Sequence, residues 1–254
     1  MKKILFLRFC AAILILAMAS LACKFLTGEG TSSVSYADTP QVYPSYASPT
    51  DMPIPSPTTD VVASQQYADM LSRVQEYYQA GYLPSTNGEY HNLDDFSDSW
   101  AQIKWYQWTK TPYTVKDFVI RADFYWENAT EYPAPLGCGF VFRLDEDKDH
   151  YMVYLDQKAV IMASAVSSKW VRIGVTKGNK NLPTLGNPAQ ANFTMLVNQN
   201  HAYVYVNDKL YGEFTLKTGV LTSGTLAYTI VSGTNKDYGT RCNMTNVELW
   251  QVTP

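Results

Sequence analysis

Four cysteines are the residues of this chain whose chemistry depends most clearly on their position. Cys10 lies inside an apolar N-terminal stretch, and Cys23 ends that stretch in Ser20-Leu21-Ala22-Cys23. A small residue followed by cysteine at this place is typical of a bacterial lipobox, with Ser20 standing where leucine is usual. Because the lipobox cysteine is acylated after the preceding residues are removed, we predict that Cys23 is lipidated and that Cys10 is lost.

The segment before Cys23 has the charge pattern of an export signal. Three basic residues, Lys2, Lys3 and Arg8, precede an apolar run that ends at Ala22. This run is more typical of a secretory signal than of a membrane span. We therefore predict a lipoprotein signal peptide over residues 1–22 and an extracytoplasmic protein that Cys23 anchors to the cell membrane. Simple secretion after cleavage at residues 17–19 (Ala-Met-Ala) and retention of the segment as an anchor are the alternatives.

Cys138 and Cys242 are the two cysteines that remain after this processing. An even number of cysteines outside the cytoplasm predicts a disulfide, and two buried free thiols are the alternative. Because neither residue has a His or Cys at ligand spacing, we predict no metal site at this pair.

The charge balance of the chain bears on its partners. The chain has 20 Lys and Arg residues against 23 Asp and Glu residues, a net charge of −3, and these charges form no basic run. Nucleic-acid binding depends on clustered positive charge. We therefore expect no nucleic acid among the partners.

The chain changes character twice before its main domain. Residues 23–59 are rich in Ser, Thr and Pro, which predicts a disordered tether. Residues 60–83 carry apolar side chains at helical spacing, ended by Gly81 and Pro84, and predict one amphipathic helix that packs on the domain. The residues of its apolar face are Tyr67, Met70, Leu71, Val74, Tyr77 and Tyr78.

Residues 84–254 show short β-rich runs separated by Asn, Asp and Gly turns. Along residues 117–126, alternation places Phe118, Ile120, Ala122 and Phe124 on one side of a strand. Runs of this length and spacing predict an all-β sandwich or barrel. Further predicted strands cover residues 139–143, 151–155, 160–165, 170–175, 193–197, 202–206, 209–214, 225–231 and 244–252.

Several of these segments, in this order, resemble the concanavalin A-like lectin/glucanase superfamily, and more narrowly the laminin-G-like domains of bacterial secreted lipoproteins. The resemblance implies a jelly-roll sandwich of two antiparallel sheets, in which an early strand and the last strand can be neighbours, as a Cys138–Cys242 bridge requires. The superfamily holds lectins, hydrolases and adhesion modules, so the fold does not fix the function. The segments are DDFSDSW (94–100), GCGFVFR (137–143), HYMV (150–153), AYVYVND (202–208) and NVELW (246–250).

Carboxylate patterns give no catalytic residue. Glucanases of this superfamily carry Glu-x-Asp runs on one strand, and this chain has none, while Asp94 and Asp95 would point to opposite faces of a strand. Residues 140–143 and 151–156 also resemble strands of 3-keto-glycoside hydrolase domains, but Leu-Gly-Cys stands at 136–138 where Asn-Ser-Gly is often found. A glycoside hydrolase is therefore the alternative to a non-catalytic module.

An acidic segment at 145–149 offers Asp145, Asp147 and Asp149 as hard oxygen ligands of the kind that Ca²⁺ takes. The segment lacks the glycine and the distal glutamate of an EF-hand. We therefore expect a solvated hairpin turn and no cofactor.

Aromatic residues give the best indication of a ligand surface. In the run 104–108, Tyr106 and Trp108 share one face of a strand, where rings could stack on sugars with Arg143 nearby for hydroxyl groups. Burial of these rings in the core is the competing interpretation. The sequence thus predicts a surface-anchored bacterial lipoprotein with a carbohydrate-binding or interaction module, its partner a glycan or a cell-surface protein. Further aromatic candidates are Trp126, Tyr132, Trp170 and Tyr238.

Overall fold

The computed structural model describes residues 59–131, 136–177 and 182–253. Residues 1–58 lie outside the described residues. The predicted signal peptide, the lipidation of Cys23 and the tether over residues 23–58 therefore stay predictions. Within the described ranges, no helix is both long and apolar enough to cross a membrane.

One helix and fourteen strands form the regular structure of the described residues. The helix α1 spans Thr59–Gln79. The strands are β1 (Gly88–Leu93), β2 (Phe96–Trp100), β3 (Trp105–Val115), β4 (Phe118–Asn128), β5 (Gly137–Leu144), β6 (His150–Leu155), β7 (Val160–Val166), β8 (Lys169–Ile173), β9 (Val175–Lys177), β10 (Ala189–Asn198), β11 (His201–Val206), β12 (Lys209–Thr215), β13 (Gly224–Ser232) and β14 (Thr240–Val252).

The strands pair antiparallel in two sheets. The eight-stranded sheet has the order β1-β14-β4-β10-β11-β12-β9, with β2 also paired to β14, and the six-stranded sheet has the order β3-β13-β5-β6-β7-β8. This topology confirms the predicted jelly-roll sandwich, the architecture that the superfamily resemblance implies.

The core lies between the inner faces of the two sheets. Alternation along β4 buries Phe118, Ile120 and Phe124 there, as the sequence predicts. Across the sandwich, Phe118 contacts Phe142 and Phe124 contacts Phe140, with ring centroids 5.9 and 5.7 Å apart. Aromatic contacts of this kind stabilise the stacking of the sheets beyond the burial of apolar area.

The disulfide between Cys138 and Cys242 confirms the predicted pairing and links the two sheets. Cys138 lies on β5 of the six-stranded sheet and Cys242 on β14 of the eight-stranded sheet, with Cα atoms 5.7 Å apart and both side chains fully buried. The bond closes a chain separation of 104 residues. A loop of this length corresponds to about 4–5 kcal/mol of stabilisation in the chain-entropy model.

Helix α1 lies on the outer face of the eight-stranded sheet. It ends as the sequence predicts, because Gly81 adopts a positive φ of 79° and the backbone N–H of Tyr82 donates to the carbonyl of Tyr77. Its buried residues are Met70, Val74 and Tyr77, and these contact Val119, Leu196 and Trp250 of the sheet. The predicted amphipathic helix is thus confirmed, and Tyr67 and Tyr78 stay about half exposed.

One predicted strand is wrong in its extent. The run 170–175 forms two strands, β8 at the edge of the six-stranded sheet and β9 at the edge of the eight-stranded sheet. Gly174 separates them, at a place where a Cβ atom would meet nothing within 4 Å. Periodicity cannot show such a change of sheet, because the same alternation continues through it.

Candidate functional site

A cleft of about 570 Å³ lies on the outer face of the six-stranded sheet, and we call it the aromatic cleft. The buried side chains of Met152, Tyr154 and Val231 form its floor. Rings and charged side chains surround them: Lys104, Trp105, Tyr106, Trp108, Asp147, Lys148, Asp149, His150 and Trp170. Tyr106 and Trp108, predicted from the sequence as ligand-binding residues, both lie here.

The strand pattern explains how these side chains come together. Tyr106 and Trp108 on β3 pair with Val231 and Thr229 of β13, so they share the outward face of the sheet. Between them and β6 lies Gly139, where a Cβ atom would overlap the carbonyl oxygen of Val153. The glycine therefore permits close approach of the strands and leaves this part of the outer face without a side chain.

His150 connects the two sides of the cleft through hydrogen bonds. Its Nδ1 lies 2.7 Å from the carbonyl oxygen of Lys148, which requires Nδ1 to donate. Nε2 is then the acceptor for the hydroxyl of Tyr106, 3.1 Å away. The imidazole also lies against Trp108, with ring centroids 5.2 Å apart. A neutral His150 therefore fixes the Tyr106 ring.

Burial sets the protonation states in this cluster. It lowers the pKa of His150, against the opposing influence of the Lys148 carbonyl and the nearby carboxylates of Asp149 and Asp145. Burial likewise raises the pKa of Tyr106. Both residues are thus uncharged at neutral pH, and the aromatic side of the cleft carries no charge of its own.

Two exposed tryptophans extend the cleft across the whole sheet. Trp105 is 54% exposed at the start of β3, and Trp170 is 50% exposed on β8. Strands β3 and β8 are the two edge strands of the six-stranded sheet. Sequence alternation assigns Trp105 to the face opposite Tyr106, yet its ring lies 5.6 Å from that of Tyr106 and lines the cleft.

The acidic segment at 145–149 forms the turn between β5 and β6. Asp145 Oδ1 accepts the backbone N–H of Asp149, and Asp149 Oδ1 accepts that of Ser167. Within the described ranges, no group of three or more His, Cys, Asp and Glu residues is arranged to hold a metal ion. The absence of a cofactor at Asp145, Asp147 and Asp149 stays a prediction.

Arg143 does not lie with Tyr106 and Trp108. Its guanidinium is buried, 3% exposed, and donates to the backbone carbonyls of Lys116, Gln199 and Leu221 at 2.7–3.2 Å, with Asp117 3.6 Å away. It thus connects three turns at one end of the sandwich. The predicted role of Arg143 toward a ligand is not supported by these contacts, which use four of its five N–H groups.

The remaining aromatic candidates do not lie together. Trp170 lines the aromatic cleft, whereas Trp126 is buried in the core and Tyr238 lies 3.8 Å under the guanidinium of Arg241. Tyr132 lies outside the described residues. His150 was not predicted as a site residue, although the alternation of its strand with Met152 and Tyr154 is a signal that could have placed it on the outer face.

No protein-family model and no curated protein sequence matches the chain. Among solved structures, the chain is similar to the carbohydrate-binding module CBM66 from Bacillus subtilis, with a TM-score of 0.43, 14% identity and coverage of 64% of this chain and 91% of that one. A protein of unknown function with a galectin-like fold from Bacillus subtilis gives a TM-score of 0.44 and 11% identity, covering 65% and 87%.

A β-fructofuranosidase from Aspergillus kawachii gives a TM-score of 0.43 at 12% identity. The match covers 64% of this chain and 27% of the fructofuranosidase, so this chain spans about a quarter of that enzyme. Because each of these TM-scores lies below 0.5, function has to be inferred from the residues of this chain.

Replacing His150 should change how stability depends on pH. Because burial lowers its pKa, the unfolded state binds a proton more readily, and stability falls as the pH drops below the unfolded value of about 6.5. In urea unfolding between pH 8 and 5, the wild type should lose more stability on acidification than His150→Gln. Equal slopes in the wild type and His150→Gln would contradict this assignment.

Replacing Arg143 should destabilise the fold even when no ligand is present. Arg143→Met removes the donor from three backbone carbonyls and the ion-pair partner of the Asp117 carboxylate, which we expect to cost about 3 kcal/mol of unfolding free energy. Chemical denaturation would measure this loss. The exposed Arg172 on β8 provides the matched control, since Arg172→Met should change stability by less than about 0.5 kcal/mol. A fully stable Arg143→Met protein would refute the structural role.

Proposed function

We propose that this protein is a surface-anchored bacterial lipoprotein whose β-sandwich binds an oligosaccharide in the aromatic cleft without cleaving it. The observation that carries the proposal is the pair of half-exposed tryptophans, Trp105 and Trp170, on either side of a cleft with an uncharged aromatic wall. Large apolar rings exposed around a cleft are typical of a binding surface.

The chemistry of the lining suits a neutral sugar. Aromatic faces can cover the C–H faces of sugar rings, while polar groups at the rim accept and donate hydrogen bonds to hydroxyls. The rim has Lys104 and Lys148 beside Asp147 and Asp149, so positive and negative charges are matched. This balance gives no net attraction for a strongly charged ligand.

The positions of the tryptophans favour an extended ligand. Trp105 and Trp170 belong to the outermost strands of a six-stranded sheet. Neighbouring strands lie about 4.8 Å apart, which separates the edge strands by about 24 Å. An oligosaccharide lying across the strands is long enough to contact both residues.

The carboxylates of the cleft support binding over hydrolysis. A glycosidase needs two carboxyl groups held about 5–10 Å apart, one of them an acid with a raised pKa. Of the carboxylates that line the described cleft, Asp147 is exposed and Asp149 is engaged by the Ser167 N–H. Neither has the buried environment that such an acid requires.

The anchor and its location are supported by the residues before the helix. The signal-like residues 1–22, the lipobox ending at Cys23 and the Pro-rich segment that follows would hold the sandwich at a distance from the membrane. In this arrangement the partner is a glycan, free or carried by another cell-surface molecule.

Removal of either exposed tryptophan should weaken glycan binding at least tenfold, because the stacking surface is lost. The full chain in detergent, the variants Trp105→Ala and Trp170→Ala, and the control Val171→Ala would be applied to a microarray of neutral oligosaccharides. Val171 is 56% exposed beside Trp170 but does not line the cleft, so its variant should bind as the wild type does. Undiminished signals from both tryptophan variants would refute the proposed cleft.

Lipidation of Cys23 should be detectable by metabolic labelling with an alkyne fatty acid in a bacterial host. The wild type and Cys10→Ser should both take up label and sediment with membranes, since Cys10 lies in the removed segment. Cys23→Ser should lose the label and leave the membrane fraction. Labelling that survives in Cys23→Ser would exclude the proposed anchor.

A further inference from the structure

We infer that the eight-stranded sheet carries a second carbohydrate-binding site on its outer face, on the opposite side of the sandwich from the aromatic cleft. A groove of about 420 Å³ lies there, and we call it the polar groove. Its lining consists mainly of amide, carboxyl and hydroxyl side chains: Asp123, Tyr125, Gln190, Asn192, Asn207, Asn243 and Thr245.

The polar groove occupies the part of the outer face next to the region under α1. Along β4 the outward positions change from Val119, buried under the helix, to Arg121, paired with the buried Glu248 at 3.4 Å, and then to Asp123 and Tyr125. The sheet thus changes from an apolar surface, covered by the protein itself, to a polar surface that no described element covers.

Strand register brings the polar side chains of the groove together in two rows. Asp123 pairs with Asn192 on β10 and with Thr245 on β14. The next row consists of Gln190, Tyr125 and Asn243. Side chains directly opposite on neighbouring strands lie about 5 Å apart, a spacing at which one ligand can contact several of them.

Asp123 is held in place from both sides. Its Oδ1 accepts the side-chain amide of Asn192 at 2.8 Å, and its Oδ2 accepts that of Asn246 at 2.9 Å. Asn246 reaches it from a β-bulge in β14 between Thr245 and Glu248, where Asn246 has a positive φ of 51°. Bulges that redirect a side chain in this way are common next to functional sites.

Asn192 provides an independent indication of a ligand. Its backbone N–H donates to Asn207 and its side-chain amide to Asp123, but its buried Oδ1 has no hydrogen-bond partner within the described residues. Buried polar atoms are almost always hydrogen-bonded, so an unsatisfied one at the base of a polar groove calls for an explanation. A donor brought by a ligand, with a small movement of the amide, would satisfy it.

The donor and acceptor pattern identifies the class of ligand. A carboxylate accepts only, and each of its oxygens still has a lone pair free after the contact with an amide. The groove lining includes no Lys, Arg or His, which disfavours a phosphate or a carboxylate as the ligand. Neighbouring sugar hydroxyls can donate to Asp123 while the half-buried ring of Tyr125 covers an apolar sugar face.

The inference can be tested separately from the proposed cleft. The full chain in detergent would be applied to the same microarray of neutral oligosaccharides, together with Asp123→Asn, Asp123→Ala and Trp170→Ala. Asp123→Asn preserves the shape of the side chain, and a thermal melt would establish that each variant is folded. Glu89→Gln is the matched control, since Glu89 is an exposed carboxylate of the same sheet outside the groove.

We expect at least one glycan whose signal falls tenfold or more in both Asp123 variants but is unchanged in Trp170→Ala and Glu89→Gln. If glycans of this kind are found and none depends on Trp170, the proposed cleft fails while the polar groove stands. If each glycan bound by the wild type keeps its signal in folded Asp123→Asn, or if none is bound at all, the second site is overturned.

Discussion

The burial of two inner sheet faces against each other is the constraint on which the rest of this structure depends. Phe118 and Phe124 of one sheet meet Phe142 and Phe140 of the other, and the disulfide at Cys138 crosses the same layer. Because alternate residues of each strand are used for this core, the remaining residues must face outward. The two outer faces are therefore where ligands and other elements can be accommodated.

The two outer faces are used differently. On the eight-stranded sheet, α1 covers an apolar region around Val119 and Trp250, and a polar groove follows beside it. On the six-stranded sheet, apolar side chains line an open cleft between Trp105 and Trp170. An apolar surface that the protein covers for itself contributes to stability, whereas one left open is available for a ligand. This contrast distinguishes the role of the helix face from that of the aromatic cleft.

Two buried polar residues, Arg143 and His150, stabilise the sandwich and the aromatic cleft through hydrogen bonds. Arg143 connects three turns by donating to their backbone carbonyls, so a residue that the sequence suggested for ligand binding stabilises the scaffold. His150 is neutral because it is buried, and it positions Tyr106 at the side of the cleft. Stability and the geometry of the site are therefore coupled through groups that are costly to leave unpaired.

The sequence by itself determined most of the strand pattern after residue 117, the helix on Met70 and Val74, the Cys138–Cys242 pairing and the shared outward face of Tyr106 and Trp108. These depend on the spacing of side chains within one segment and on the even number of cysteines that remain after residue 23. Only the tertiary structure decided that Arg143 lies away from these rings and that residues 170–175 divide between two sheets. It also brought Trp170, sixty-two positions along the chain from Trp108, into the same cleft. Such pairings depend on which strands become neighbours, and alternation along one strand carries no information about its neighbours.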